Sequence, residues 1–269
     1  MDNYNDQQIA QLIGATQAFY ARHAASFSQT RQRGWDGWAR LLPYLEEERV
    51  RDGRAGVACK ADGEVSILDV ACGNFRFASF LAEMLPQVSW YVQGIDACDE
   101  LAQLRPPIPD QVHIHFEQQD IIAALRTGAA FAEESAFDGV VSFGFMHHVP
   151  TRALRARLMQ TLIDAVKPGG MVAVSFWRFL SDEKLARKAE IATEVGQAML
   201  DVSLQDEHDR LLGWQTSTDE FRYCHSFDAS EIDELITSVD ARAELLERFY
   251  ADGKSGLLNE YVVLRRRNL

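Results

Sequence analysis

The chain has 269 residues, of which 47% are hydrophobic, so it can bury one large core or a core with a small cap. Its net charge of −13 argues against broad nucleic-acid or membrane-surface binding, although it leaves room for a local basic patch. The four cysteines lack the C-x-x-C spacing of a zinc knuckle and no apolar run reaches membrane-spanning length, so we expect a cytoplasmic protein.

The first part of the chain, residues 1–63, is predicted to be a helical cap, with helices over residues 5–50. Between residues 20 and 40 there are four arginines and one aspartate, although the chain is acidic overall. Arginine beside tryptophan suits anion binding and stacking on a flat group, so we assign Arg31 and Trp35 to a substrate site. A solvated helix pair whose tryptophans cover the core explains the same pattern.

A loop at residues 51–63 leads into the stretch around which the chain is organised, residues 65–77. A buried strand rich in β-branched residues ends there in Asp69, and a helix follows after a turn that contains Gly73. Ligands of doubly wound sheets bind at such a turn, and a carboxylate suits a cationic ligand better than a pyrophosphate. We therefore expect this turn to bind a cofactor through Asp69, Ala71, Gly73 and Asn74.

The second strand is predicted at residues 90–96 and again ends in an acid. Asp96 follows the glycine turn by about 20 residues, the spacing at which an acid meets ribose hydroxyls in such folds. With its neighbour Ala97, it is assigned to the cofactor site, although an acid at a strand end is often only a helix cap.

A third strand follows a proline-rich break and carries His113 and His115 on one face. No carboxylate or cysteine completes a ligand set around this pair, so we expect no metal site there. Residues 137–143 form the predicted fourth strand, ending at Phe143. A helix over residues 151–166, a tight K-P-G-G stop and a fifth strand at residues 171–176 come next.

The C-terminal third begins with a polar segment, residues 178–222, predicted to be a helical insertion that serves as a lid or substrate wall. Another helix is predicted to begin near residues 226–232. Two strands at residues 245–250 and 260–264 flank a glycine-containing turn and predict an antiparallel hairpin.

The run that starts at Asp69 resembles the first motif of class I S-adenosylmethionine (SAM) methyltransferases, D-x-G-x-G-x-G, with Phe75 in place of its last glycine. The F-D-x-V of the fourth strand and the later K-P-G-G are typical of further motifs of this family. The resemblance implies an α/β fold: a seven-stranded, mostly parallel Rossmann-like sheet with an antiparallel C-terminal hairpin, N-terminal helices and a helical insertion. It places the methyltransferase domain at residues 64–269 and implies SAM as the cofactor.

Family members usually hold the adenine amino group with an aspartate after the third strand, while an apolar neighbour covers the ring. The resemblance thus adds Asp120, Ile121 and Phe143 to the cofactor-binding residues.

Segments outside these motifs resemble the tRNA wobble-uridine carboxymethyl methyltransferases. They are an F-S-x-T-R segment that ends at Arg31, an H-H-x-x-T…R run from His147 to Arg155, and an R-Y-Y-H segment in which Cys224 replaces an aromatic residue. Some members of that family need a small zinc-binding activator subunit, so such a partner is one implication. The acidic surface departs from what a tRNA enzyme needs.

Methyl transfer from a sulfonium is an in-line displacement, so positioning and desolvation supply most of the catalysis. We assign His147 and His148 as catalytic residues that orient the acceptor, or act as base if it is a hydroxyl or amine. Capping of the next helix and packing beneath it explain these histidines equally well. Arg31 and Arg155 are predicted to clamp a carboxylate, of the acceptor or of SAM, unless they form surface ion pairs; Tyr223 completes the substrate site.

These assignments leave three functions open. The first is O- or N-methylation of a small metabolite, plausibly on a carboxylate. The second is methyl esterification of carboxymethyluridine at the tRNA wobble position. The third is a non-catalytic SAM-binding scaffold, and the oligomeric state stays undetermined by the sequence.

Overall fold

The computed structural model describes residues 4–51, 64–132, 137–215 and 219–268. The loop predicted before the first strand lies outside these residues, except for Arg51 at a helix end. Cys59 also lies outside them. Among the described residues, no helix has the length and apolar character needed to cross a bilayer.

The described residues form a sheet of seven strands: β1 Val65–Val70, β2 Trp90–Asp96, β3 Val112–Gln118, β4 Phe137–Ser142, β5 Val166–Trp177, β8 Ala243–Ala251 and β9 Asn259–Arg266. Their order in the sheet is β3-β2-β1-β4-β5-β9-β8. The first five strands of this order are mutually parallel, and β9 runs antiparallel to both β5 and β8. The predicted fold class and its closing hairpin are therefore confirmed.

Helices cover both faces of the sheet, which is why the central strands are apolar without alternation. One face carries α2, α3 and a 3-10 helix at Asp36–Leu41, and the other carries α5, α6 and α8. The helices are α1 Asp6–Gln29, α2 Leu42–Arg51, α3 Arg76–Met84, α4 Asp99–Ala102, α5 Ile121–Thr127, α6 Arg152–Ala165, α7 Glu183–Leu200 and α8 Ala229–Thr237.

The insertion differs from the prediction, because it is helical only in its first half. After α7 the chain forms two short strands, β6 at Asp209–Leu212 and β7 at Arg222–His225, which pair antiparallel in a separate two-stranded sheet. Alternating residues of β7 face opposite sides, a pattern that four residues are too few to reveal in a polar sequence. The predicted tight stop before β5 also differs, since β5 already begins at Val166.

The N-terminal region is a long helix, a short irregular link and two consecutive helical segments, rather than continuous helix. α1 begins at a capping box formed by Asn5 and Gln8 and ends at Thr30. It packs against β7 and α4, so it lies across the carboxyl ends of the parallel strands. There it forms the roof of the site described next.

Candidate cofactor and substrate site

A cavity of about 950 Å³ lies at the carboxyl edge of the sheet, beneath α1. The strand order reverses between β1 and β4, and this is where ligands of open α/β sheets bind. All predicted site residues except Arg155 and Tyr223 line the cavity: Arg31, Trp35, Asp69, Ala71, Gly73, Asn74, Asp96, Ala97, Asp120, Ile121, Phe143, His147 and His148.

The turn after β1 takes the left-handed backbone conformation at every second residue. Ala71, Gly73 and Phe75 have φ angles of 64°, 53° and 58°, so two non-glycine residues adopt a conformation that favours glycine. Phe75 is fully buried, and its ring lies where a side chain at position 94 would be, over Gly94. This packing lets the turn keep its shape although the last motif glycine is absent.

Two carboxylates meet beside this turn because β1 and β2 are neighbours. Asp96 accepts hydrogen bonds from the backbone N–H groups of Gly73 (2.9 Å) and Cys98 (2.8 Å). Burial raises the pKa of Asp96, and these backbone donors oppose the rise. Burial and the charge of Asp96 raise the pKa of Asp69 to about 7. The pair creates a negative environment that fits a ligand with a cationic centre and hydroxyl groups.

Hydrogen bonds join α1 and the residues that follow it, which form the roof of the cavity, to both predicted ends of the cofactor site. On one side, Asp120 caps α5 through one carboxylate oxygen, and the other accepts from the side-chain amide of Gln17 in α1 at 2.9 Å. On the other side, the Asn74 amide donates to Ser28 Oγ (3.0 Å) and to the backbone carbonyl of Arg31 (3.3 Å). A ligand in this cavity would therefore contact α1 along much of its length.

The two predicted catalytic histidines lie in a 3-10 helix after β4, with ring centroids 4.1 Å apart. His148 Nδ1 is 2.7 Å from the backbone carbonyl of Tyr223, which can only accept, so Nδ1 carries the proton. Its Nε2 then accepts a hydrogen bond from the Tyr20 hydroxyl at 2.8 Å. Burial and the nearby Arg222 lower the pKa of His148 to about 3, and burial places that of His147 well below its usual value.

Two arginines in the cavity wall share one aromatic neighbour. The guanidinium of Arg31 lies 3.9 Å from the ring centroid of Phe27 and 5.1 Å from that of Trp214. The guanidinium of Arg222 lies 4.5 Å from the ring centroid of Phe19 and 5.9 Å from that of Trp214. Neither forms a salt bridge with a carboxylate among the described residues. Two cations without counter-ions in a largely buried wall make a site for an anion.

The structure corrects two predicted substrate residues, Arg155 and Tyr223. Arg155 is buried against α8, with its Nε 2.8 Å from Glu231 Oε1, because its side of α6 faces that helix. The Tyr223 hydroxyl donates to Asp209 Oδ1 at 2.6 Å, away from the cavity. Because side chains alternate along β7, Arg222 points toward the cavity when Tyr223 points away from it. The Arg-Tyr-Cys-His segment, which already resembled a family motif, was the part of the sequence from which Arg222 could have been predicted.

Three buried groups, the cavity-lining His147 and His148 and the neighbouring Cys224, have ligand atoms within 4.8 Å of one another. Both ring nitrogens of His148 are already hydrogen-bonded, and burial raises the pKa of the Cys224 thiol to about 12. These groups therefore fit a hydrogen-bonded cluster better than a metal site.

Known proteins resemble this chain over most of its length. Residues 27–243 match a family described as a methyltransferase domain. A putative methyltransferase of Encephalitozoon cuniculi is 26% identical over 81% of this chain and 83% of the relative. A tRNA (carboxymethyluridine(34)-5-O)-methyltransferase of Arabidopsis thaliana is 25% identical over 59% of this chain, which spans only 31% of that relative.

Solved structures show the same fold at low identity. A 1,6-didemethyltoxoflavin-N1-methyltransferase of Burkholderia thailandensis, solved with S-adenosylhomocysteine, has a TM-score of 0.52 and 15% identity over 95% of this chain and 88% of that chain. A SAM-dependent methyltransferase of Methanosarcina mazei has a TM-score of 0.53 and 17% identity over 76% of this chain and 93% of that chain.

The family match covers the strand-turn-helix motif, most of the residues that line the cavity, and the insertion. It confirms the class I methyltransferase resemblance, the enzyme assignment and the expected cofactor, SAM. With its cavity at the switch point of the sheet and its acidic strand ends, the chain belongs to the methyltransferase domain family.

Proposed function

We propose that this enzyme transfers the methyl group of SAM to a carboxylate of a small metabolite. The proposal rests on the pair formed by Arg31 and Arg222. Both line the cavity and flank Trp214, and neither has a counter-ion among the residues that the structure describes. A guanidinium pair binds a planar carboxylate through parallel N–H donors, and the aromatic rings restrict where that carboxylate can lie.

The residues that this proposal assigns to the cofactor also line the cavity. Asp96 and the Gly73 turn would hold the ribose and methionine parts, while Asp120 and Ile121 would hold the adenine. When bound, SAM supplies a methyl group activated by its sulfonium charge. Asp69 would add a negative charge near that cation, which favours its binding.

The histidines support an acceptor that needs no deprotonation. Both rings are buried, and their low pKa values make them weak bases at neutral pH. A carboxylate is already a nucleophile in its ionised form, so the site has to align it rather than remove a proton. In the proposal, the hydrogen-bonded pair of His148 and Tyr20 forms a fixed, neutral part of the wall beside the acceptor, and His147 covers the acceptor.

The tRNA alternative rests on the Arabidopsis relative and on the sequence segments shared with that family. The proposal favours a small acceptor because α1 covers the cavity, and because a net charge of −13 opposes RNA binding. A tRNA acceptor would call for a test with a small activator subunit added.

The experiment incubates the enzyme with isotopically labelled SAM and either a metabolite extract or bulk tRNA, followed by mass spectrometry of both. We expect the label in a base-labile methyl ester of a small molecule. The variant Arg222→Gln should lose about tenfold or more of this activity, since a charge-assisted contact contributes about 1.5–3 kcal/mol. Arg33→Gln, at an exposed position of the same basic segment as Arg31, should keep it.

Label in a tRNA nucleoside would replace the proposal by the alternative. Label in an amine or phenol that is insensitive to Arg222→Gln would contradict the anion site itself.

A further inference from the structure

A network of buried ionised groups lies behind β7, on the side away from the cavity. Its centre is His225, which is fully buried, with Nδ1 2.7 Å from Asp209 Oδ1 and Nε2 2.6 Å from Glu231 Oε2. Each ring nitrogen faces a carboxylate oxygen, which accepts, so both nitrogens carry hydrogens and the ring is an imidazolium. Burial opposes this charge, but the two carboxylates outweigh it and raise the pKa of His225.

Further contacts complete the network. Arg155 Nε lies 2.8 Å from the second oxygen of Glu231, and the hydroxyls of Tyr223 and Tyr4 donate to Asp209 at 2.6 and 2.5 Å. Two cations thus balance two carboxylates. A buried network of this kind is rigid when complete, and removal of one member leaves an uncompensated charge.

The network connects to the cavity through a single strand. In β7, Tyr223 and His225 face the network, while Arg222 lines the cavity and the thiol of Cys224 lies 3.8 Å from His148 Nδ1. The backbone carbonyl of Tyr223 accepts a hydrogen bond from His148 Nδ1, and the backbone N–H of Tyr223 donates one to Thr16 Oγ1 in α1. Contacts that hold β7 in place on the network side therefore also hold the Arg222 guanidinium and the Tyr223 carbonyl in place on the cavity side.

We propose that His225 is a positioning residue of the enzyme: by bridging Asp209 and Glu231 it fixes β7, and through β7 it sets the tautomer of His148 and the placement of Arg222. The part that concerns Arg222 rests on the proposed function, whereas the part that concerns His148 does not.

The first test is ¹⁵N NMR of the selectively histidine-labelled enzyme, since the shifts of the two ring nitrogens report which of them carries hydrogen. At neutral pH we expect His225 protonated on both nitrogens and His148 on Nδ1 alone, with the His148 signals assigned through their loss in His148→Gln. In His225→Gln the His148 signals should show exchange between both tautomers. His113→Gln is the control, because His113 is an exposed histidine on β3 that also forms an ion pair with a carboxylate, Glu64, outside the network.

The second test measures binding of benzoate, a simple carboxylate probe, to the enzyme saturated with S-adenosylhomocysteine. Tryptophan fluorescence gives the readout, and loss of the signal in Trp214→Phe assigns it to the arginine site. We expect His225→Gln to weaken benzoate binding about tenfold, while the affinity for S-adenosylhomocysteine is unchanged in calorimetry. If the role of His225 were purely structural, His225→Gln would lower the melting temperature. It would leave unaltered the tautomer of His148 and the ratio of the affinities for benzoate and S-adenosylhomocysteine.

A folded His225→Gln enzyme with an unchanged His148 tautomer would overturn the inference, as would a neutral His225 in the wild type. If His225→Gln does not fold, Glu231→Gln preserves the shape of the network and is expected to give the same two changes. Failure of the wild type to bind benzoate, with the tautomer change still seen, would refute the carboxylate site and leave His225 as the positioning residue of His148.

Discussion

Ala71 and Phe75 both have the left-handed backbone that glycine would adopt without strain. Ala71 has only a methyl group with which to compensate, whereas Phe75 fills the space over Gly94. A non-glycine residue with a left-handed backbone is therefore strained at position 71, whereas at position 75 the packing of its side chain compensates for the strain.

The substitution Ala71→Gly is expected to raise the free energy of unfolding by about 0.5–1 kcal/mol, because relief of left-handed strain exceeds the entropy that glycine adds to the unfolded chain. Urea unfolding measures it. Ala82→Gly is the control: it lies inside α3 and should lower the free energy of unfolding by about 1 kcal/mol. A loss of similar size at both positions would contradict the strain at Ala71.

Asp69 predicts a pH dependence of cofactor binding. Its pKa is raised to about 7 by burial and by Asp96, so part of it is protonated at neutral pH in the free enzyme. A cationic ligand favours the ionised form and lowers that pKa, so binding releases a proton and the affinity rises as the pH increases through 7.

Calorimetry with SAM at about pH 6 and about pH 8 should show tighter binding at the higher pH, and Asp69→Asn should remove the difference. Repeating the titration in buffers of different ionisation enthalpy counts the released protons. Equal affinity at both pH values in the wild type would show that Asp69 does not face the cationic centre.

At the scale of elements, α1 is the part of the cap that forms the cavity roof. Gln17 in α1 donates to Asp120, the carboxylate that the family resemblance assigns to the adenine amino group, so on that assignment the amide and the adenine would compete for Asp120. The sequence predicted the helix but gave no sign of this contact, because it joins residues 103 positions apart.

Gln17→Ala removes that competition and one attachment of the roof. We expect faster association of S-adenosylhomocysteine in stopped-flow fluorescence, with faster dissociation if Gln17 also holds the roof closed over the ligand. Gln11→Ala, which removes a contact of α1 to the carbonyl of Leu200 outside the cavity, is the control. Identical association rates in the wild type and Gln17→Ala would exclude a gating role for Gln17.

The elements that the sequence predicted correctly are those with strong periodicity. β2 has the predicted bounds and β1 extends one residue beyond Asp69, because both are largely apolar runs with an acid at or next to the carboxyl end. The pair β6 and β7 escaped prediction because its stability comes from contacts with α1 and α7 rather than from local pattern. Arg155 was misplaced for a related reason: its partner Glu231 lies in a helix 76 residues later.

For the whole molecule, the family motifs specified the sheet order and the edge on which the cavity lies. They left the acceptor end undetermined, since Arg31 and Arg222 meet only through the tertiary fold. The net charge of −13 contrasts with this cationic end, and it repels a polyanion more strongly than a small anion, which supports the small acceptor of the proposed function.

The attachment of α1 to both halves of the cavity has a thermodynamic consequence. One helix contacts Asp120 at the cofactor end, and it also contacts His148 and β7 at the acceptor end. A ligand that contacts one end of α1 and immobilises it would bear the loss of conformational entropy of the whole helix. A second ligand at the other end would then bind with a smaller entropy loss. We therefore expect cofactor and acceptor to strengthen each other's binding by the same factor, whichever of them binds first.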